Sequence, residues 1–156
     1  MIARIISGGQ TGVDRAALDV ALELGLPCGG WCPKGRRAED GPLPARYPLQ
    51  ETPSLAYPPR TARNVRDSDG TLVLTHGEAD RGTALTLRLA ERYGRPRLVL
   101  DLGKVPEPAE VWRWAEAARI EVLNVAGPRE STRPAIYAQG VSFLRAVLAG
   151  GAGRIS

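Results

Sequence analysis

The chain begins with an apolar run broken by one arginine, Ile2-Ala3-Arg4-Ile5-Ile6, and closes it at Ser7. So short a run, apolar at successive positions, predicts a strand over Ile2–Ser7 with both faces covered. The period then changes. Val13, Ala16, Ala17, Val20, Ala21 and Leu24 recur at spacings of three and four, which is the stripe of an amphipathic helix. Gly25 supplies a C-terminal stop and Pro27 prevents continuation. A second short strand is expected over Pro27–Cys32.

From Pro33 to Pro59 the periodicity vanishes, and seven prolines (Pro33, Pro42, Pro44, Pro48, Pro53, Pro58, Pro59) predict a long irregular segment. Loops of that length inside a compact domain are usually functional or disordered. Thr61–Arg66 reads as a short helix, with Arg60, Arg63 and Arg66 forming a row that reads as solvated surface. Gly70 opens a strand, Thr71-Leu72-Val73-Leu74-Thr75. A helix carrying Leu85, Leu89 and Tyr93 follows and ends at Gly94. Arg97–Leu102 is the next strand. Pro106–Ala118 is a helix with Glu107 and Glu110 at its positive end. Ile120–Ala126 is a strand, and Ile136, Gly140, Val141, Leu144, Val147 and Leu148 share a face of the last helix.

Apolar strands alternating with amphipathic helices predict an α/β fold: a Rossmann-like three-layer sandwich around a roughly five-stranded parallel sheet with right-handed crossovers. We expect residues 1–150 to form a single ligand-binding domain and 151–156 a short frayed tail.

In such sheets ligands bind beyond the carboxyl ends of the strands, where strand order reverses. Three glycine-bearing loops leave those ends. The first is Ser7-Gly8-Gly9-Gln10-Thr11-Gly12, with Asp14 placed as an approximate capping-box partner of Thr11. The second follows Thr75 through His76 and Gly77 to Gly82 and Thr83, and the third is Gly127-Pro128-Arg129-Glu130-Ser131. Each leads into a helix whose free N–H groups and dipole suit an anion. Gly8, Gly9 and Gly12 would let phosphate oxygens reach the main chain, while Thr11, Thr83 and Ser131 are candidate caps or hydroxyl donors. Any one such turn merely links strand to helix; three at one edge point to a ligand. GGQTG is neither GxGxxG nor a P-loop, and no GxSxG elbow occurs.

Composition narrows the picture. The chain has 156 residues, 43% of them apolar, which suits a globular fold. It contains no apolar run long enough for a membrane span and no recognisable signal peptide, so a cytoplasmic protein is expected with no membrane partner. The net charge is +4, and only Lys34 and Lys104 of its 21 basic residues are lysines. The arginines are scattered without aromatic interleaving, so nucleic acid is not an expected partner. His76 is the lone histidine, and no metal-ligand spacing is present. Cys28 and Cys32 read as buried thiols, although Cys32 falls near a strand end.

Four stretches, SGGQTGVDRAALDVA, CPKGRRAEDGPLPARYPLQET, DRGTALTL and NVAGPRES, resemble the molybdenum (cofactor) carrier family in order over nearly the whole chain. That family sits within a Rossmann-like group of nucleotide-ligand proteins that includes the "lysine decarboxylase-like" phosphoribohydrolases. The resemblance implies a homo-oligomer (dimer or tetramer) and a pocket for a small phosphate-bearing pterin or nucleotide, with molybdenum cofactor (molybdopterin) or a nucleotide as bound ligand. It implies phosphate-loop roles for Gly8, Gly9, Gln10, Thr11 and Gly12. Gly82 and Thr83 take the second loop's role, and Gly127, Arg129, Glu130 and Ser131 the third's. Lys34 and Arg36 are the long loop's anion contacts.

The hydrolase relatives carry a GGxGTxxE-type motif whose glutamate assists catalysis. Here the run is Asp80-Arg81-Gly82-Thr83-Ala84-Leu85-Thr86, with no glutamate at that spacing. No residue is therefore assigned as catalytic, and a binding or carrier protein leads. The alternatives are a nucleotide-processing hydrolase using Asp14 or Glu130, and a nucleotide sensor. Trp31, Tyr47 and Tyr57 are candidate stacking partners for a ring.

Overall fold

The computed structural model describes residues 1–153. β1 (Arg4–Ile6) puts Ile5, fully buried, at the heart of the main core. The chain then turns through the first glycine loop into α1 (Val13–Glu23), whose alanines Ala16, Ala17 and Ala21 are buried without exposure. Their small size lets α5 (Ile136–Gly153) approach closely, and a Cβ at Gly140 would sit 3.3 Å from that of Ala16. Between these helices come β5 (Gly70–Thr75), α3 (Arg81–Arg92), β6 (Arg97–Asp101), α4 (Pro108–Ala117) and β7 (Val122–Ala126).

The main sheet has five strands, all pairs parallel, in the order β2-β1-β7-β5-β6, with β2 being Cys28–Gly29. This is the expected Rossmann-like architecture. Helices α1, α4 and α5 pack together over one face, where Leu72, Leu74, Leu123 and Val125 meet them. α2 (Tyr57–Arg66) packs with α3 on the opposite side. The chain leaves β1 toward one edge and leaves β5 toward the other, with β7 between them. The strand order thus reverses around the ends of β1, β7 and β5.

Three local expectations differ from the structure. The strand expected over Pro27–Cys32 breaks at Gly30, whose φ of +132° turns the chain out of the sheet. Its second half becomes β3 (Trp31–Cys32), paired in parallel with β4 (Gln50–Glu51) in a separate ladder. A side chain at Gly30 could not be housed, because its Cβ would lie 2.3 Å from the Ser7 carbonyl. α2 begins at Tyr57 rather than Thr61, because Pro58 and Pro59 occupy first-turn positions where no N–H is needed. The last helix continues to Gly153, into the stretch expected to fray; residues 154–156 lie outside the described residues.

The proline-rich segment is ordered by its own small core of Leu18, Cys32, Ala38, Leu43, Tyr47 and Leu49. Arg36 holds it together by donating to the carbonyls of Leu43, Pro44, Tyr47 and Leu49 at 2.7–3.2 Å. Asp19 on α1 accepts from the hydroxyls of Tyr47 and Tyr137, each at 2.5 Å, tying α1, this segment and α5 to one carboxylate. No helix of the described residues is long and apolar enough to cross a membrane.

Candidate functional site

A cleft of about 510 Å³ opens at the reversal point. Its walls are the first loop and α1 (Gly8, Gln10, Asp14), α2 (Tyr57, Arg60, Asn64), α3 (Arg81, Gly82, Thr83, Thr86) and the end of β7 with the third loop (Asn124, Gly127, Arg129). Asn64 fixes the α2 wall: its amide oxygen accepts from the Trp31 N–H at 2.8 Å and its amide donates back to the Trp31 carbonyl at 3.1 Å. Asn124 on the floor donates to the Thr71 hydroxyl at 3.2 Å.

The charged centre is a buried ion pair. Arg60 Nη1 donates to Asp14 Oδ2 at 3.0 Å, with side-chain exposures of 12% and 8%. The backbone N–H of Gln10 approaches the same carboxylate oxygen at 3.4 Å. Burial pushes the Asp14 carboxyl above its ordinary value, against the pull of Arg60 and of the more distant Arg15. Arg60 also lies over the Tyr57 ring, 5.3 Å from its centre.

Among the described residues, three buried side-chain atoms have no hydrogen-bond partner: Gln10 Nε2, Arg60 Nε and Thr83 Oγ1. All three belong to residues of this one cleft. Gln10 and Thr83 are only 4% and 2% exposed. Their neighbouring atoms are well engaged. Gln10 Oε1 accepts from the N–H groups of Thr11 and Glu39, and the Thr83 N–H donates to Asp80 Oδ1. Unpaired buried donors cost about 1–3 kcal/mol each, so three of them on residues of one cleft need a partner to explain them.

The glycines of the first and third loops stand where the chain packs closely on itself. The space a side chain would fill is already taken by protein. A Cβ at Gly8 would meet Arg60 Nη1 at 1.6 Å, and one at Gly9 would meet the methyls of Leu49 and Leu43 at 2.6 and 2.8 Å. At Gly12 it would reach the Pro128 carbonyl at 2.2 Å, and at Gly127 the Leu74 carbonyl at 2.4 Å. Val13 N–H at the start of α1 donates to that same Pro128 oxygen, and the carboxylate of Asp14 stands beside the loop as a resident anion. The second loop is open: a Cβ at Gly82 would find nothing nearer than Asp80 Oδ1 at 3.7 Å, and one at Gly77 nothing within 4 Å.

Of the residues singled out in the sequence, Gly8, Gln10, Asp14, Gly82, Thr83, Gly127 and Arg129 line the cleft. Gly9, Gly12 and Thr11 lie in the first loop away from its wall. Thr11 accepts from Glu130 N–H at 3.2 Å instead of capping α1, which has no side-chain cap. Thr75 is buried at the end of β5, and Gly77 is exposed, its N–H on Asp101. Asp80, rather than Thr83, caps α3. The Glu130 carboxylate accepts from the N–H groups of Ala135 and Tyr137, both at 2.9 Å, so it closes the start of α5. Ser131 donates to Glu39, which also faces Arg129 at 3.6 Å. Burial pushes the Glu39 carboxyl up, but bonds from Ser131 and Thr11 and the Arg129 charge hold it below its ordinary value. Arg36 is committed to loop carbonyls, and Lys34 is exposed beside it.

Arg60 was hidden in an arginine row that reads as surface. Only Arg66 fits that reading, half-exposed and paired with Asp67; Arg63 stacks on Trp31 at 4.5 Å. Asn64, Asn124, Arg81 and Thr86 carried no signal beyond lying on the elements that frame the strand ends. Of the candidate stacking residues, Tyr57 lines the cleft, Trp31 donates to Asp67, and Tyr47 is buried in the small core. Cys32 sits in that core as well, where burial pushes its thiol up and away from the reactive thiolate. No group of three His, Cys, Asp or Glu side chains is placed to hold a metal ion among the described residues.

With this geometry in hand, the chain can be compared with known proteins. Residues 5–148 match the model of a family described as the circularly permutated YpsA SLOG family. Among solved structures, the chain is similar to a protein of Syntrophus aciditrophicus SB named "putative molybdenum carrier protein". The identity is 47%, covering 94% of this chain and 95% of that one, with a TM-score of 0.90. No curated protein matches the chain.

Proposed function

The chain belongs to the circularly permutated YpsA SLOG family, and from that membership we propose that it is a carrier holding a small molybdenum- or phosphate-bearing ligand by its anionic group in the donor-lined cleft. One observation carries this reading: Gln10 Nε2, Arg60 Nε and Thr83 Oγ1 are buried and unpartnered, and all three belong to residues that line this cleft. Each can donate, and two of them, the amide and the guanidinium nitrogen, can only donate. A set of donors without a matching acceptor suits an oxyanion, whether molybdate or the phosphate of a pterin or nucleotide. Tyr57, Pro58 and Leu85 offer the apolar wall for a ring. The cysteines lie outside the cleft lining, so the donor set fits contact through oxygen rather than thiolate bonding to the metal.

Equilibrium binding of molybdate, inorganic phosphate, nucleoside monophosphates and molybdopterin tests the proposal. At least one should bind, and Thr83→Val should weaken it by about tenfold, as loss of a hydrogen bond to a charged group does. Failure of every one of these anions to bind would overturn it. Native mass spectrometry of gently purified protein reads any co-purifying ligand and the homo-oligomer we propose in the same measurement.

The competing nucleotide-hydrolase reading draws support from Asp14, a carboxyl raised by burial inside the cleft. It requires turnover of a nucleoside monophosphate that Asp14→Asn abolishes.

A further inference from the structure

Arg60 and Asp14 cancel one another's charge, so their buried pair offers an incoming anion little net attraction. Yet Arg60 Nε, its free donor, is one of the three atoms awaiting an acceptor. An anion that takes Nε must share a single guanidinium with a carboxylate that already occupies Nη1 at 3.0 Å. Two negative groups a few ångströms apart, both shielded from water, cannot both stay ionised at low cost.

The other charges around Asp14 do not relieve this. Arg15 on α1 donates to the Gly9 carbonyl and, through both terminal nitrogens, to Asp40. From the third loop, Arg129 faces Glu39, and Glu130 is engaged by α5 amides. From α3 come Arg81, which is exposed, and Asp80, which caps the helix. From α2 come the Tyr57 phenol under Arg60, and Arg63 and Arg66, which are held on Trp31 and Asp67.

We infer, resting on the reading that the cleft holds an anion, that Asp14 takes up one proton from solvent as the anion enters, so that anion and proton bind together. The proton forms an O–H bond on the Asp14 carboxyl. That group ceases to compete for Arg60 and becomes a fourth donor in the cleft. Burial already disposes the carboxyl to this change. Asp14 is thereby a ligand-selecting residue: it favours anions when protons are plentiful and releases them as the pH rises.

Sulfate is the probe, because its own charge is constant across the range used. Calorimetric titration from pH 5.5 to 8.5 should show wild-type affinity falling as pH rises, approaching about tenfold per unit for one linked proton. Repeating the titration in buffers of different ionisation heat should count close to one proton taken up per sulfate. Asp14→Asn should bind sulfate with a flat pH profile and more tightly than wild type at pH 8.5, which also excludes His76 as the titrating group. Should that variant not fold, the proton count on the wild type decides. A flat profile without proton uptake in the wild type, with Thr83→Val still weakening sulfate, would overturn the coupling and leave the carrier reading standing. No sulfate binding at any pH by wild type or variant, with the other anions also failing, would overturn both.

Discussion

The carbonyl oxygen of Pro128 stands 2.2 Å from where a Cβ on Gly12 would be, and it also accepts the N–H of Val13 at 3.2 Å. The first and third loops are therefore joined backbone to backbone, with Thr11 Oγ1 and Glu130 N–H adding a second link. Gly12 has φ of +81°, so Gly12→Ala faces both a clash and a strained backbone. The variant should lose about 2–4 kcal/mol of stability, measured by denaturant titration. Gly77→Ala has the φ penalty of +87° but open space around it, and should lose only about 1 kcal/mol.

Removing Arg60 should damage the protein in a pH-dependent way. The folded-state pKa of Asp14 lies above its ordinary value, so its stabilising contribution is full below the ordinary carboxylate range and is lost as pH rises through the folded value. Arg60 opposes that shift, and taking it away raises the folded value further. Arg60→Gln should cost about 3–5 kcal/mol at pH 8, where the buried Asp14 carboxyl must either ionise without a partner or draw a proton from a solution poor in protons. At pH 5 the cost should be clearly smaller. Denaturation curves at the two pH values give the difference directly, and equal losses would contradict this account.

Thr83→Val exchanges stability against binding. The Thr83 hydroxyl is buried without a partner, so an isosteric methyl should leave the ligand-free protein as stable or raise it by about 1 kcal/mol. The same change should weaken the anion bound. A melting temperature that drops markedly would show that the hydroxyl has a partner in the free protein.

Glu130 should behave in the opposite way. Its carboxylate satisfies two amides at the start of α5, so Glu130→Ala should cost about 1–2 kcal/mol of stability. Anion affinity of the folded variant should stay within about twofold, as befits a side chain outside the donor set. A tenfold loss of affinity at unchanged stability would place Glu130 in the site.

The tyrosines offer a spectroscopic check on the α1–α5 junction. Burial, then the bond to Asp19, pushes the Tyr137 hydroxyl up to about 12. Its contribution to stability is full below the ordinary tyrosine value and is lost as pH rises through about 12. Absorbance titration should show Tyr137 and Tyr47 ionising last, and Asp19→Ala should bring Tyr137 down toward the ordinary value.

The elements that frame the cleft are legible in the chain because each carries its own punctuation. α1 is announced by its alanine stripe and Gly25, and β5 by five successive apolar or threonine positions after Gly70. The position of β7 between β1 and β5 is not legible, since parallel pairing leaves no mark on either strand's own residues. The glycines announced close approaches without saying what approaches. At Gly8 it is Arg60, and at Gly12 the Pro128 carbonyl. The Asp14–Arg60 pair spans 46 positions, and nothing local distinguishes Arg60 from Arg63 or Arg66 in the same row. Gln10 and Thr83 were visible because they lie in the loops that the fold class makes important. The cleft is thus half written in loop chemistry and half in long-range packing.

The place of β7 in the sheet also bears on how the molecule is made. β1 and β5 each pair with β7, a strand that spans only Val122–Ala126 and follows both of them in sequence. During synthesis β1 waits, one edge unpaired, until β7 has left the ribosome. Closing the sheet then joins residues more than a hundred positions apart, a contact pattern that slows folding. Chains cut short before β7 should keep two open strand edges and self-associate rather than fold.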